Sequence, residues 1–337
     1  MSRTEHTHGD LSPLAAWIRE RALRRVLVLA PPSRRYVERV SSAIARGGAD
    51  VIEFDGAVVH VPEEVLAAVE RALVAGSADA IVAVGGGAPI GLGKALRLGH
   101  DVAFAAVPTT YAGSEMTNLY GVTSGVAKRT GRDDRVRPDL VVYDVALTLE
   151  LPIAFTVQSL CNALAHVAST RSTDSLEPAI RDAAYAAARE VIAAIDALVA
   201  DPRDAAARER AQRGAAGCAV AADRGTPGLQ HAFAHTLGGA LRLDHAALHS
   251  ILLPRFLAHM RAAQPAIYHE LADALAVADL PMWLVERLAH AGAPTTFAQL
   301  GVREDALRTA LALRPELPVD LALAAFDGRP MTGHTVR

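Results

Sequence analysis

Three histidines in one short stretch have the types and spacing that could do chemistry. His231 and His235 are four residues apart, so on a helix they share one face, and His245 follows ten residues later. Asn162 and His166 repeat the four-residue spacing earlier in the chain. Two helices that present imidazole to a shared site can hold a metal ion or an anionic substrate. The alternative is that each histidine is an ordinary hydrogen-bonded residue, but the paired spacings favour a site.

A glycine-rich loop is the second feature of this kind. Residues 85–94 read Gly-Gly-Gly-Ala-Pro-Ile-Gly-Leu-Gly-Lys and follow an apolar run that is typical of a strand. Consecutive glycines let backbone N–H groups approach phosphate oxygens, and the start of a helix attracts an anion. The loop matches neither the Walker A motif nor the G-x-G-x-x-G fingerprint. We predict that a phosphate-bearing cofactor binds at Gly85, Gly86, Gly87 and Ala88, with Lys94 as the cation.

Two further segments carry polar side chains that could contact a ligand. Residues 108–117 follow another predicted strand, and parallel sheets bind ligands at the carboxyl ends of their strands. The expected contacts are with the cofactor from Thr109, Thr110 and Ser114, and with the substrate from Tyr111. A cationic cluster with Lys128 and Arg129 lies in a segment that we predict to be rich in turns. Such clusters are often solvated surface, but this one could bind a carboxylate or a phosphate.

The elements that must position these residues fall into two halves. Before residue 150, apolar runs at 25–30, 50–54, 80–84, 102–107 and 140–143 alternate with helical patterns, which predicts a parallel sheet covered on both faces. Residues 1–10 are polar and are expected to be frayed. Beyond residue 152 only helical patterns remain, notably at 178–200 and 204–222. We therefore predict an α/β dinucleotide-binding domain over 1–152 and an all-α substrate domain over 153–337. The helix that carries His231 is expected to begin at Thr226-Pro227 and to end at Gly238-Gly239.

Composition narrows the class of protein. The 337 residues are 51% hydrophobic with a net charge of −3, which does not indicate nucleic-acid binding. Neither a signal-peptide pattern nor an apolar run of about 18 residues is present, so we expect no membrane partner and a cytoplasmic location. The two cysteines, Cys161 and Cys218, fall in helical patterns and are expected to be buried free thiols.

Taken together, these segments resemble the iron-containing alcohol dehydrogenase superfamily and, within it, the maleylacetate reductases. The motifs that carry the resemblance lie at residues 85–95, 108–117, 128–133, 162–166 and 231–245. The resemblance implies an N-terminal dinucleotide-binding domain, a helical C-terminal domain, an active site in the cleft between them, and a homodimer. It also implies that NADH or NADPH reduces the C=C bond of maleylacetate, or of a similar short unsaturated oxo-acid, to a 3-oxoadipate-type product.

The resemblance also assigns roles to single residues. The positions that hold iron or zinc in the metal-dependent members, one Asp and three His, fall here on Asn162, His166, His231 and His245. Because the carboxylate is replaced by an amide, we expect no tightly bound metal. The imidazoles are then available for an anionic substrate and for proton transfer. We expect His231 and His245 to bind a substrate carboxylate and handle protons, and His235 to lie near the nicotinamide.

Three departures from the reductase pattern keep other functions open. Ala88 replaces a serine of the glycine loop, Ser169 stands in place of an acidic residue, and Gln230 in place of a histidine. One alternative is a metal-dependent alcohol or aldehyde dehydrogenase. Another is a repurposed homologue that binds a small anion or a protein partner without this turnover.

Arg34 and Arg35, which follow the first predicted strand, would tolerate the 2′-phosphate of NADPH.

Overall fold

The chain divides between Glu150 and Leu151 into two units, two residues before the predicted boundary. The computed structural model describes residues 4–125 and 127–327, except for the side chains of Ala127, Lys128 and Asp327. The strands and helices of the first unit are β1 (Glu5–Gly9), α1 (Ser12–Glu20), β2 (Arg25–Leu29), α2 (Val37–Gly47), β3 (Asp50–Phe54), α3 (Glu63–Ala75), β4 (Ala80–Gly85), α4 (Gly87–Gly99), β5 (Ala103–Pro108), β6 (Leu119–Ser124), β7 (Ala127–Arg132) and β8 (Leu140–Asp144).

Six of these strands form one parallel sheet in the order β1-β8-β5-β4-β2-β3. The central strands are continuous apolar runs, and every residue of β4 and β8 is buried, as expected for a sheet with both faces covered. The chain passes from β2 to β3 on one side and then returns to β4 on the other side of β2. The direction of winding therefore reverses between β2 and β4, and ligands of such sheets bind at the carboxyl ends of the strands at this point.

Two sequence predictions for the first unit are wrong. Residues 5–9 are not frayed, because Glu5–Gly9 pairs in parallel with β8, from Glu5 opposite Leu140 to Gly9 opposite Asp144, while residues 1–3 of the predicted segment lie outside the described residues. An edge strand needs backbone hydrogen bonds on one side only and does not need apolar side chains, so a polar segment can form it. The cationic segment is not a series of turns either. It forms β7, which pairs with β6 as an antiparallel hairpin.

The second unit is helical throughout its described residues. Its helices are α5 (Ile153–Ser172), α6 (Pro178–Ala200), α7 (Ala205–Arg224), α8 (Leu229–Leu241), α9 (His245–Ala263), α10 (Pro265–Leu275), α11 (Leu280–His290), α12 (Glu304–Leu311) and α13 (Val319–Asp327). Helix α5 is buried along most of its length and packs against α6, α7, α8 and α9. Its polar side chains are therefore held inside the unit. Over the described residues, no helix combines the length and the apolar character needed to cross a membrane.

The bounds of α8 differ from the prediction. The helix begins at Leu229 with Gly228 at its N-cap, so Thr226 and Pro227 lie before it, and it continues through Gly238-Gly239 to Leu241. The reason is tertiary. The Oγ atom of Ser169 on α5 accepts a hydrogen bond from the Gly228 N–H at 2.9 Å, which fixes where the helix starts. Gly238 is buried, and a Cβ there would lie 3.1 Å from Leu248, so this glycine serves close packing.

Candidate active site

The glycine loop joins β4 to α4 at the point where the sheet changes its direction of winding. Gly85 ends the strand with φ +141°, and a Cβ atom on it would lie 2.7 Å from Cγ of Pro89. Gly86 is the N-cap and Gly87 the first residue of α4. A Cβ on the exposed Gly87 would meet no protein atom within 4 Å. The start of α4 is therefore open to an anion at the helix N-terminus, with Ala88 in its first turn.

The neighbouring strand brings two of the predicted hydroxyl residues to the same edge. The N–H of Thr109 donates to the Gly85 carbonyl at 3.0 Å. The side chain of Thr110 lies 3.0 Å from where a Cβ of Gly86 would be. The structure thus gathers Gly85, Gly86, Gly87, Thr109 and Thr110 at one edge of the sheet, as the cofactor prediction requires.

Lys94 has a different role from the one we predicted. Its side chain is only 1% exposed. Its ammonium donates to Thr117 Oγ1 at 2.9 Å, to the Leu119 carbonyl at 3.0 Å, and also to the Ser114 carbonyl. The cation therefore holds the segment 114–119 from inside the unit. The groups at the start of α4 that remain for the predicted phosphate are backbone N–H groups.

Tyr111 is also buried, at 1% exposure, which does not favour the predicted contact with substrate. Arg129 is exposed on β7, opposite Val122. The side chain of Lys128 lies outside the described part of the structure. The predicted contact of these two cations with an anion remains a prediction.

The predicted tolerance for a 2′-phosphate is also weakened. Arg34 forms ion pairs with Glu53 and, at 3.1 Å, with Asp55 at the end of β3. Because Arg34 and both carboxylates are substantially exposed, these pairs contribute little to stability. They do place two negative charges beside this cation, and a nucleotide with an additional phosphate must compete with them.

In the second unit, the four predicted histidines lie together with a fifth. The ring centroids of His166 and His231 are 5.2 Å apart, and those of His235 and His245 are 5.4 Å apart. His249 lies between them, 5.0 Å from His231 and 4.5 Å from His245. We refer to these five residues as the histidine cluster. Sequence reasoning missed His249, although it follows His245 by one helical turn and so shares its face.

The five side chains of the histidine cluster differ in their exposure to solvent. His166, His231 and His249 are buried, His245 is half-buried and His235 is exposed. Both ring nitrogens of His231 are buried without a hydrogen-bond partner in the described residues, and so is Nδ1 of His166. Burial lowers the pKa of His166 from 6.5 to about 4 and that of His231 well below its ordinary value. Without a ligand, these rings are neutral at pH 7 and retain hydrogen-bonding capacity that the protein does not use.

Asn162 and Cys161 are consecutive buried residues of α5 that precede His166. Asn162 lies one turn before His166 on α5 and is 5% exposed. Cys161 next to it is a buried free thiol, as predicted, and so is Cys218. Burial raises the pKa of Cys161 to about 12, so it is not a nucleophile at neutral pH.

The geometry of both units agrees with comparisons to known proteins. The iron-containing alcohol dehydrogenase family model matches residues 2–145, and the C-terminal model of the Fe-containing alcohol dehydrogenase family matches residues 156–315. The chain belongs to the iron-containing alcohol dehydrogenase family. Its relatives include Maleylacetate reductase 1 of Cupriavidus pinatubonensis (strain JMP 134 / LMG 1197). That protein is 41% identical over 314 residues, which cover 92% of this chain and 88% of the relative.

Two other maleylacetate reductases are similar to this chain over most of its length. Maleylacetate reductase of Burkholderia cepacia is 39% identical over 311 residues, 92% of this chain and 88% of that protein. The crystal structure of Maleylacetate reductase from Agrobacterium tumefaciens aligns with a TM-score of 0.86 and 34% identity, covering 98% of each chain. The present chain is accordingly an NAD(P)-dependent oxidoreductase that acts on a small molecule.

The iron in the family's name can be tested against the donors present. At the positions to which the resemblance assigns metal ligands, Asn162 offers a neutral amide instead of a carboxylate. Across residues 4–125 and 127–327, no group of three or more His, Cys, Asp or Glu side chains is placed to hold a metal ion. The donor set at these positions therefore lacks the carboxylate that would favour a tightly held iron or zinc ion.

Proposed function

We propose that this enzyme reduces the C=C bond of maleylacetate, or of a similar short unsaturated oxo-acid, with NADH or NADPH and without a tightly held metal. The observation that carries the proposal is His231, a buried imidazole whose two nitrogens have no partner among the described residues. Buried polar groups are normally satisfied, and the exceptions call for an explanation such as a ligand. An anionic, oxygen-rich substrate accepts hydrogen bonds from such neutral rings.

The chemistry of the reaction matches these donors. Reduction of a C=C bond next to a ketone leaves an enolate, which must be stabilised and then protonated on carbon. Gly86 and Gly87 at the start of α4 would hold the pyrophosphate of NADH or NADPH, which would supply the hydride. His231 and His166 can each donate one N–H to a carboxylate or to the enolate oxygen. An anion beside them also raises their pKa, which draws a proton into the site.

The donor set supports metal independence. Three neutral imidazoles and an amide oxygen bind a dication more weakly than a set with a carboxylate. We further propose that His235 and His245, the more exposed members of the cluster, handle protons. A homodimer is also proposed, on the family resemblance alone.

One assay separates this proposal from the alcohol dehydrogenase alternative. Protein dialysed against a strong chelator is mixed with NADH or NADPH and, in parallel reactions, with maleylacetate or simple aldehydes. We expect nucleotide oxidation with maleylacetate and little with aldehydes. Loss of activity on dialysis and its recovery with one equivalent of iron or zinc would contradict metal independence. Activity with aldehydes alone would contradict the substrate class.

A further inference from the structure

His249 is a buried imidazole at the centre of the histidine cluster for which the proposed chemistry has no use. It lies on α9 and is 0% exposed. Its Nδ1 is 2.8 Å from Nε2 of Gln230, and its Nε2 is 3.0 Å from Nε2 of His245. Gln230, itself 0% exposed, stands where the family resemblance leads one to expect a histidine. The three side chains form an unbroken line of hydrogen bonds from α8 to α9.

The direction of these hydrogen bonds follows from the donor chemistry. With the amide nitrogen of Gln230 facing Nδ1 of His249, and Oε1 of Gln230 buried without a partner in the described residues, the amide donates to Nδ1, which then carries no proton. The one proton of the His249 ring is then on Nε2, where it faces His245. Nε2 of His245 must therefore accept, because two N–H groups cannot point at each other. A neutral His245 consequently carries its proton on Nδ1.

We propose that His249, held by Gln230, is a positioning residue that fixes His245 in its Nδ1–H tautomer. The part of this inference that concerns turnover rests on the proposed function. A fixed tautomer makes the His245 Nδ1–H the group that can donate to an anionic oxygen of the substrate. Partners that orient an active-site imidazole in this way act on rate through the ring that they hold.

The tautomer itself is measured first, because that measurement needs no substrate. The full-length protein is labelled with ¹⁵N-histidine, and the nitrogen shifts of His245 are read at about pH 8, above the ordinary histidine pKa. The resonances are assigned by their loss in His245→Gln. We expect the proton on Nδ1 in the wild type. In His249→Leu and in Gln230→Met, which keeps the approximate volume of glutamine, we expect a mixture of tautomers.

A matched pair of variants separates positioning from packing. The amide nitrogen of His249→Gln can replace Nε2–H and still donate to His245, whereas His249→Leu cannot. We expect His249→Leu to lower kcat for maleylacetate roughly tenfold to a hundredfold, with the KM for NADH unchanged. We expect His249→Gln to stay within a few-fold of the wild type. His259→Gln, a half-buried histidine farther along α9, is the control and is expected to leave kcat unchanged.

Several results would overturn the inference. One is a wild-type His245 with its proton on Nε2. Another is equal loss of kcat in His249→Gln and His249→Leu, which would mean that only packing matters. If His249→Leu does not fold, Gln230→Met provides the same comparison, and an unchanged tautomer and kcat in that variant would count against the inference. A wild type that does not reduce maleylacetate refutes the proposed function, while the nitrogen shifts still decide the tautomer.

Discussion

At the scale of the single residue, the unpartnered ring nitrogens of His231 lower the stability of the fold but are able to bind a ligand. A buried polar group without a hydrogen-bond partner destabilises a fold by about 1–3 kcal/mol. Both ring nitrogens of His231 are in this position within the described residues, although the neighbouring rings of His166 and His249 are close. A purely structural residue would gain stability from an apolar replacement. This is why we propose that His231 binds a ligand.

This argument predicts opposite effects of one substitution on activity and on stability. His231→Leu removes the unsatisfied nitrogens, so we expect a melting temperature equal to or higher than that of the wild type. We expect kcat/KM for maleylacetate to fall roughly a hundredfold, since a donor to the developing charge is lost. Steady-state kinetics and thermal unfolding on the same preparations measure the two effects. The control is His259→Leu, and a fall in stability without a fall in activity would make His231 structural.

At the scale of the element, the N-termini of α4 and α8 position the groups that we propose to bind cofactor and substrate. Helix α4 starts where β4 ends, so its N–H groups lie at the edge of the sheet. Helix α8 starts where hydroxyls of α5 and the following turn hold its preceding loop. Ser169 accepts from Gly228, and Thr173 donates to the Thr226 carbonyl at 3.0 Å. The serine that replaces an acidic residue therefore anchors the helix that carries His231, and it is not in itself a sign of lost activity.

The open start of α4 predicts that Gly87→Ala weakens nucleotide binding without harming the fold. The added methyl group meets no protein atom, and alanine favours helix, so stability is expected to hold or rise. If the pyrophosphate approaches this backbone, the dissociation constant of NADH rises roughly tenfold, or about 1.4 kcal/mol, as titration calorimetry can measure. Gly99→Ala at the other end of α4 is the matched control, because a Cβ there would meet only Oε1 of Glu70, at an unstrained 3.9 Å. Equal affinity in both variants would exclude the loop from the nucleotide site.

Because the Gly228 N–H donates to Oγ of Ser169, we expect Ser169→Ala to loosen the start of α8. The Gly228 N–H loses its partner, and we expect a loss of about 1–3 kcal/mol in the free energy of unfolding. Urea denaturation measures the total, and hydrogen exchange should show faster exchange at residues 228–232 first. Thr309→Ala, which removes an exposed hydroxyl of α12, is the control. Unchanged protection of these amides would show that the hydrogen bond does not hold the helix.

At the scale of the whole molecule, buried neutral imidazoles link folding to pH. Burial holds the pKa of His166 at about 4, below its ordinary value of 6.5, and the pKa values of His231 and His249 are lowered well below theirs. Between those values the unfolded chain binds protons that the folded chain does not. Stability is therefore complete above about pH 6.5 and falls as the pH falls toward 4.

We expect the free energy of unfolding to decrease measurably between pH 7 and pH 5. His166 alone contributes on the order of 3 kcal/mol once the pH has fallen through the whole window from 6.5 to about 4. Urea denaturation at a series of pH values, with a chelator present, measures the slope. His166→Gln removes one titrating ring and should flatten the curve. Stability independent of pH over this range would mean that the cluster accepts protons in the folded state.

Local patterns in the sequence predicted the class of fold and most of the secondary structure, apart from β1 and the hairpin of β6 and β7. Apolar runs and glycine stops predicted β2 to β5, β8 and the long helices α6 and α7 closely. The four-residue spacings brought His166 and His231 into one candidate site. The tertiary structure shows which charged side chains already have partners within the protein. Only the packing shows that the Lys94 ammonium holds residues 114–119, and that Arg34 is paired with two carboxylates.

The same reason explains what the sequence concealed in the second unit. A hydrogen bond between residues distant in sequence, such as that from Gly228 to Ser169, leaves no periodic signal, so the start of α8 was predicted two residues early. His249 carried a spacing signal from His245, but its function depends on the contact with Gln230 on another helix. Burial by neighbouring helices likewise sets the pKa values of the cluster. The chain sequence specifies the side chains, and only their three-dimensional neighbours specify which protons they hold.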